Sequence, residues 1–215
     1  MRAVRAPWVV AVALLLDASM CFGADERLAV FATLGFGGVS AAEADFRSGL
    51  DAGADEAEMH ITTGLGLAYD VELIEFLALG GISRLYIWGA DPYAWESRGD
   101  NAGTGIDLAV QPRVHFDVKP VTLYLTLPTG LTIATKRDNR TARLLDTHYD
   151  FGVGYNWGLF AGVEYPFMAG AAAFLEVGWL LHTVFQRAEA AADPSIEADL
   201  EYRRGQFTLN LGAVF

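Results

Sequence analysis

Cysteine is almost missing from this chain of 215 residues: Cys21 is the one example. A single thiol permits no disulfide framework. Long apolar runs are missing as well. Past the first segment, no stretch reaches the roughly 18 residues that a membrane-spanning helix needs. Basic residues are scarce, 15 Lys and Arg against 27 Asp and Glu, for a formal net charge of -12. That balance argues against nucleic acid as a partner, because a phosphate backbone binds Lys and Arg. What the chain does have is apolar material, 53% of its residues, with a positive mean hydropathy. An acidic chain this oily, with no spanning helix, is either a soluble β-protein or a membrane barrel.

The N-terminus reads as an export address. Arg2 and Arg5 make a basic start, and Trp8 to Leu16 is a short apolar core. That core has signal-peptide length and is too short to span a bilayer. Small residues at Cys21 and Gly23 favour cleavage before Ala24, so residues 1–23 are expected to be removed. The alternative is a lipoprotein carrying lipid on Cys21, but Met20 is bulky where a lipobox wants a small residue. Cleavage removes Arg2, Arg5 and Asp17, leaving residues 24–215 more acidic by one charge and free of cysteine. A cysteine-free product suits an oxidising compartment.

From there the hydropathy alternates with period two, the mark of strands. Residues 106–118 are the clearest case. Ile106, Leu108, Val110, Pro112, Val114, Phe116 and Val118 form one face, and Asp107, Gln111, Arg113, His115 and Asp117 lie on the other. The same pattern predicts strands over 27–38, 59–71, 76–88, 121–134, 149–165, 173–185 and 203–215. Facing is ambiguous in 76–88, where Gly80-Gly81 suggests a bulge. Links predicted after odd strands are long (39–58, 89–103, 135–148, 186–202). Links after even strands are short (72–75, Lys119-Pro120, 166–170). Long loops at one end and tight turns at the other mark a membrane barrel. Lipid offers no partner to an edge N–H or C=O, so the sheet must close on itself. The expected fold is therefore all-β, an eight-stranded antiparallel up-and-down transmembrane β-barrel over 24–215. Both termini are expected on the periplasmic side.

The terminal pattern Phe207, Leu209, Leu211, Ala213, Phe215 and the glycine-punctuated aromatic strand from Tyr149 to Tyr165 resemble the small OmpA-type outer-membrane barrels. The resemblance covers essentially all of 24–215. It implies an outer-membrane location, and it implies that Phe207, Leu209, Leu211 and Phe215 form a signal read by the barrel-assembly machinery. The chain stops at Phe215, so no peptidoglycan-binding domain is expected after the barrel.

The candidate functional set is an interior polar network: Asp107, Gln111, Arg113, His115, Asp117, Asp150, Glu164, Glu176, His182 and Arg204. Charges inside a low-dielectric barrel need partners, so the plain reading is a structural plug and the alternative a narrow ion path. His115 and His182 have the chemistry for a catalytic or metal site, but Ser40, Ser48, Ser83, Ser97 and Ser195 stand apart from them in sequence. No catalytic residue, metal or cofactor is expected. The segment 39–58 is acidic (Glu43, Asp45, Asp51, Asp55, Glu56, Glu58) and 135–148 basic (Lys136, Arg137, Arg140, Arg143). Either could meet lipopolysaccharide, through bridging cations or lipid phosphates, or be simply solvated. Tyr69, Trp88, Tyr149, Tyr165, Phe167, Phe185, Tyr202 and Phe215 fit two interfacial girdles, with Trp157 and Trp179 facing lipid between them. The expected role is non-enzymatic, in envelope integrity or surface interaction through the loops, by a monomer in contact with outer-membrane lipid and lipopolysaccharide. The alternatives are a narrow pore and, third, a lipid-modifying enzyme.

Overall fold

The structure, a computed structural model, describes residues 26–46, 51–58, 61–88, 103–135, 137–139, 147–190 and 193–215. The expected signal segment 1–23 and the link 89–102 lie outside these residues. Twelve strands follow in order: β1 (Glu26–Phe46), β2 (Asp51–Glu58), β3 (Thr62–Ile74), β4 (Leu77–Trp88), β5 (Gly103–Val118), β6 (Val121–Thr126), β7 (Thr129–Ala134), β8 (Arg137–Asn139), β9 (Thr147–Tyr149), β10 (Gly152–Met168), β11 (Ala171–Ala190) and β12 (Asp193–Val214).

They form eight staves. β2 and β3 are consecutive pieces of the second stave, both on β1. β6 and β7 are two pieces of the fifth, since both lie between β5 and β10 in one continuous register. β8 and β9 prolong the fifth and sixth staves. All pairings are antiparallel, and β1 pairs with both β3 and β12, so the ring closes. Phe215 and Leu28 complete that closure, each donating its N–H to the other's carbonyl at 2.9 and 3.1 Å. The fold is an eight-stave up-and-down antiparallel barrel.

Alternation sets the faces. The outward side of β5 is Leu108, Val110, Phe116 and Val118, all about half exposed or more, while Asp107, Gln111 and Arg113 are buried inside. Leu123, Leu125, Leu127, Leu131, Val153, Trp157, Leu159, Leu175, Val177, Phe207 and Leu211 continue the outer apolar belt. Exposed apolar area on this scale has no place in water. Among the described residues no helix is long and apolar enough to cross a membrane.

Three expectations change. Three of the supposed loops contain ladder: β1 runs to Phe46 and pairs with β2, β11 runs to Ala190 with β12 starting at Asp193, and β8 and the start of β9 fall in 135–148. Gly80-Gly81 is no bulge, for its register against β3 and β5 is unbroken. Shifts fall instead at Phe36/Gly38, Ala42/Ala44, Glu72/Ile74, Pro166/Met168 and Glu189/Ala190. The turn at Lys119-Pro120 is the one expected, and the other two are tighter than expected, Glu75-Phe76 and Ala169-Gly170, with Gly170 at φ +77°.

Candidate functional site: the barrel interior

The inward side chains make a column with three levels. Nearest the tight turns is a clamp of four charges. Arg27 on β1 bonds Asp70 on β3 at 2.6 Å and Glu164 on β10 at 2.5 Å. Arg113 on β5 reaches the same Glu164 oxygen at 2.8 Å. The clamp thus ties four staves across the lumen with two cations and two anions. Arg113 also lies over the Tyr124 ring at 4.4 Å, and Arg27 over Phe174 at 5.6 Å. Below the clamp a vestibule of about 390 Å³ opens toward the turns, edged by Glu26, Glu72, His115 and Asp117.

The middle level is polar and close-packed. Asn210 donates to Glu176 at 2.6 Å and accepts from the Thr33 hydroxyl at 2.8 Å. Asp107 accepts from Thr132 at 2.6 Å and meets His182 Nε2 at 2.9 Å, both partners being buried. The His182 ring packs edge-on to Tyr86 at 5.5 Å. Arg84 is wholly buried, with its guanidinium over the Phe160 ring at 5.0 Å.

The far level turns apolar. Tyr86, Ala134, Phe160, Leu180 and Val184 pack together with Tyr202 against them. Ala188 and Ala198, directly opposite in the ladder, are buried beyond them. A hydrated path through the column would have to cross both the clamp and this apolar section.

Of the ten residues expected inside, Arg113, Glu164, Glu176, Asp107 and His182 stand in this column with partners. Gln111 is buried there, with its Oε1 in no hydrogen bond. His115 sits half-buried at the vestibule. Of the other three, Asp117 edges the vestibule and Arg204 stands opposite buried His182, both on the expected side. Asp117 is exposed near the turn and accepts from Thr122 at 2.5 Å. Asp150 lies at the other end, where its backbone carbonyl accepts from Gln186. Arg204 is half-buried over Tyr202 at 5.6 Å. Tyr202 itself packs inward and leaves the expected girdle. Phe207, Leu209, Leu211 and Phe215, the residues expected to form an assembly signal, lie along the outer face of β12 and its end, with Phe207 against Trp179 at 5.2 Å.

Sequence reasoning passed over Arg27, Asp70 and Arg84. The first two were findable. Arg27 shares its side with Ala29 and Phe31, opposite the Leu28 and Val30 face, and Asp70 stands beside it once the first two strands are paired.

The chain matches no family model and no curated protein. Among solved structures, Neisserial surface protein A is similar at 16% identity, over 87% of this chain and 95% of that one, with a TM-score of 0.42. The outer membrane protease OmpT from Escherichia coli is similar at 9% identity, over 89% and 97%, with a TM-score of 0.48. Ail, the attachment invasion locus protein of Yersinia pestis, is similar at 12% identity, over 89% and 99%, with a TM-score of 0.37. The likeness is one of fold alone.

Proposed function

We propose that this chain is a closed, non-enzymatic outer-membrane barrel that contributes to envelope integrity or surface interaction through the end opposite its tight turns. Both termini then face the periplasm. The observation that carries the reading is that the interior, among the described residues, is crossed by the clamp of Arg27, Asp70, Glu164 and Arg113 at one level and by packed apolar side chains at another. Eight strands leave an interior that side chains just fill. The outer belt supports a bilayer as its surroundings, since a barrel leaves no strand edge in lipid. His182 is engaged by Asp107 and packed edge-on against Tyr86, which supports a structural role for that histidine.

Purified protein in planar bilayers is expected to give no steady discrete openings. Openings that vanish on neutralising Arg113 or Glu176 would replace this reading with a narrow pore. Lipid A mass spectra are expected to match with and without the protein, and a reproducible mass shift would favour an enzyme instead. Phe215→Ala tests the assembly partner. It is expected to lower the outer-membrane level several-fold in cells while the purified chain still refolds, because the ring closes there through backbone groups. Normal levels in cells would remove the assembly machinery as a reader of Phe215.

A further inference from the structure

Two prolines sit where a closed barrel has least room for them. Pro112 lies mid-way along β5, and Pro128 lies between β6 and β7 on the next stave. Proline has no N–H to give a ladder, so in sheets it is kept to edges and bulges. A closed barrel has no edge.

The hydrogen bonds show what each proline removes. Leu127 donates to the Pro112 carbonyl at 3.2 Å, and Gly158 donates to the Pro128 carbonyl at 2.9 Å. Each is half of a reciprocal pair. The return bonds, from residue 112 to the Leu127 carbonyl and from residue 128 to the Gly158 carbonyl, are chemically impossible. The fifth stave therefore lacks one ladder bond on each side at adjacent residues, and there it divides into β6 and β7. Register runs on unbroken through the gap, from Thr126 to Thr129 against both β5 and β10. The inward positions at the gap are Pro128, Gly130 and Gly158, with the Phe160 ring and Leu180 lying over Gly158. Outside, Leu127 and Leu159 are half exposed in the apolar belt.

In hydrocarbon a carbonyl without a donor costs several kcal/mol, because no water replaces the lost partner. Two such losses at one height make this the least secured part of the wall. We propose that the fifth stave is a built-in opening seam, at which β5, β6–β7 and β10 separate locally while the rest of the ring stays paired. The seam is a property of the wall. It is independent of whether the lumen is plugged, and it rests on the proposed bilayer placement only for its surroundings.

The test is amide hydrogen exchange on the full chain refolded into phosphatidylcholine vesicles. The amides of Leu127 and Gly158 are expected to exchange at least about tenfold faster than those of Gly178 and Thr208, which pair mid-way along the unbroken β11–β12 ladder, as local opening requires. Restoring the donors with Pro128→Thr, and with Pro112→Val on the outer face, is expected to remove the difference. Equal exchange at the two places, or a difference that survives in a folded double variant, overturns the seam. If the double variant fails to fold, the comparison within the unaltered chain decides alone. Flotation of the vesicles separates the two readings. Protein that does not float with lipid fails the membrane placement, whereas floating protein with uniform exchange fails only the seam.

Discussion

Arg27→Ala is expected to lower the unfolding free energy of the barrel by about 3–5 kcal/mol, the loss typical when one partner of a buried ion pair is removed. Arg27 holds two carboxylates at once. Without it Asp70, 1% exposed, loses its ion-pair partner, and Glu164 keeps Arg113. The penalty is the cost of leaving a charge buried and uncompensated, rather than the net worth of the pair. The double variant Arg27→Ala with Asp70→Asn is therefore expected to recover much of the loss, because the uncompensated group is gone; contacting residues are not additive. Urea unfolding of the protein in vesicles, read by tryptophan fluorescence, measures both. A midpoint that Arg27→Ala leaves unchanged would show that the clamp is a surface pair open to solvent.

Gly154→Ala is expected to cost at least about 3 kcal/mol, the upper end for overpacking a filled interior. A Cβ at Gly154 would lie 1.8 Å from the Thr183 carbonyl oxygen and 2.7 Å from the Val184 Cα. Those are backbone atoms of the neighbouring stave, so no side chain can swing aside to make room. Gly81→Ala is the matched control. It too is a strand glycine, but it faces outward, and its nearest atom is 3.9 Å away. It is expected to be neutral, or slightly stabilising through the unfolded state. Equal effects at both positions would mean that strand propensity, and not close approach, governs these glycines.

What could be read from the sequence follows from what each strand touches. β5 was legible because one side meets hydrocarbon and the other a polar lumen, so Leu108 and Val110 contrast with Asp107 and Gln111. β4 was not. Its inward side carries Ala78, Ile82 and Tyr86 around Arg84 because those residues meet apolar parts of the interior. Both its faces are then oily and the alternation cancels, which hid Arg84. The extended ends of β1, β2, β11 and β12 read as loops in the sequence for a different reason. Past the apolar belt the outer face is free to be polar, as at Arg187, Asp199 and Arg203. The inner face there is small, as at Ala188 and Ala198. The ladder continues, but the contrast in hydropathy that announces it is gone. The clamp was half legible: Arg113 and Glu164 stood on clear inward faces, whereas Arg27 and Asp70 required knowing that the first two strands are neighbours.

The pairing of β1 with β12, from Ala29 opposite Val214 to Phe46 opposite Ala198, also sets a timetable. A ribosome delivers the first stave long before the eighth. Until then the first stave has an open flank, and no partial ring can satisfy it. Closure waits for the slowest kind of contact, one between distant parts of the chain. The barrel therefore cannot finish folding as it is made. In the interval its oily strands must be kept from pairing with those of other copies, because unpaired strand edges and exposed apolar faces invite association.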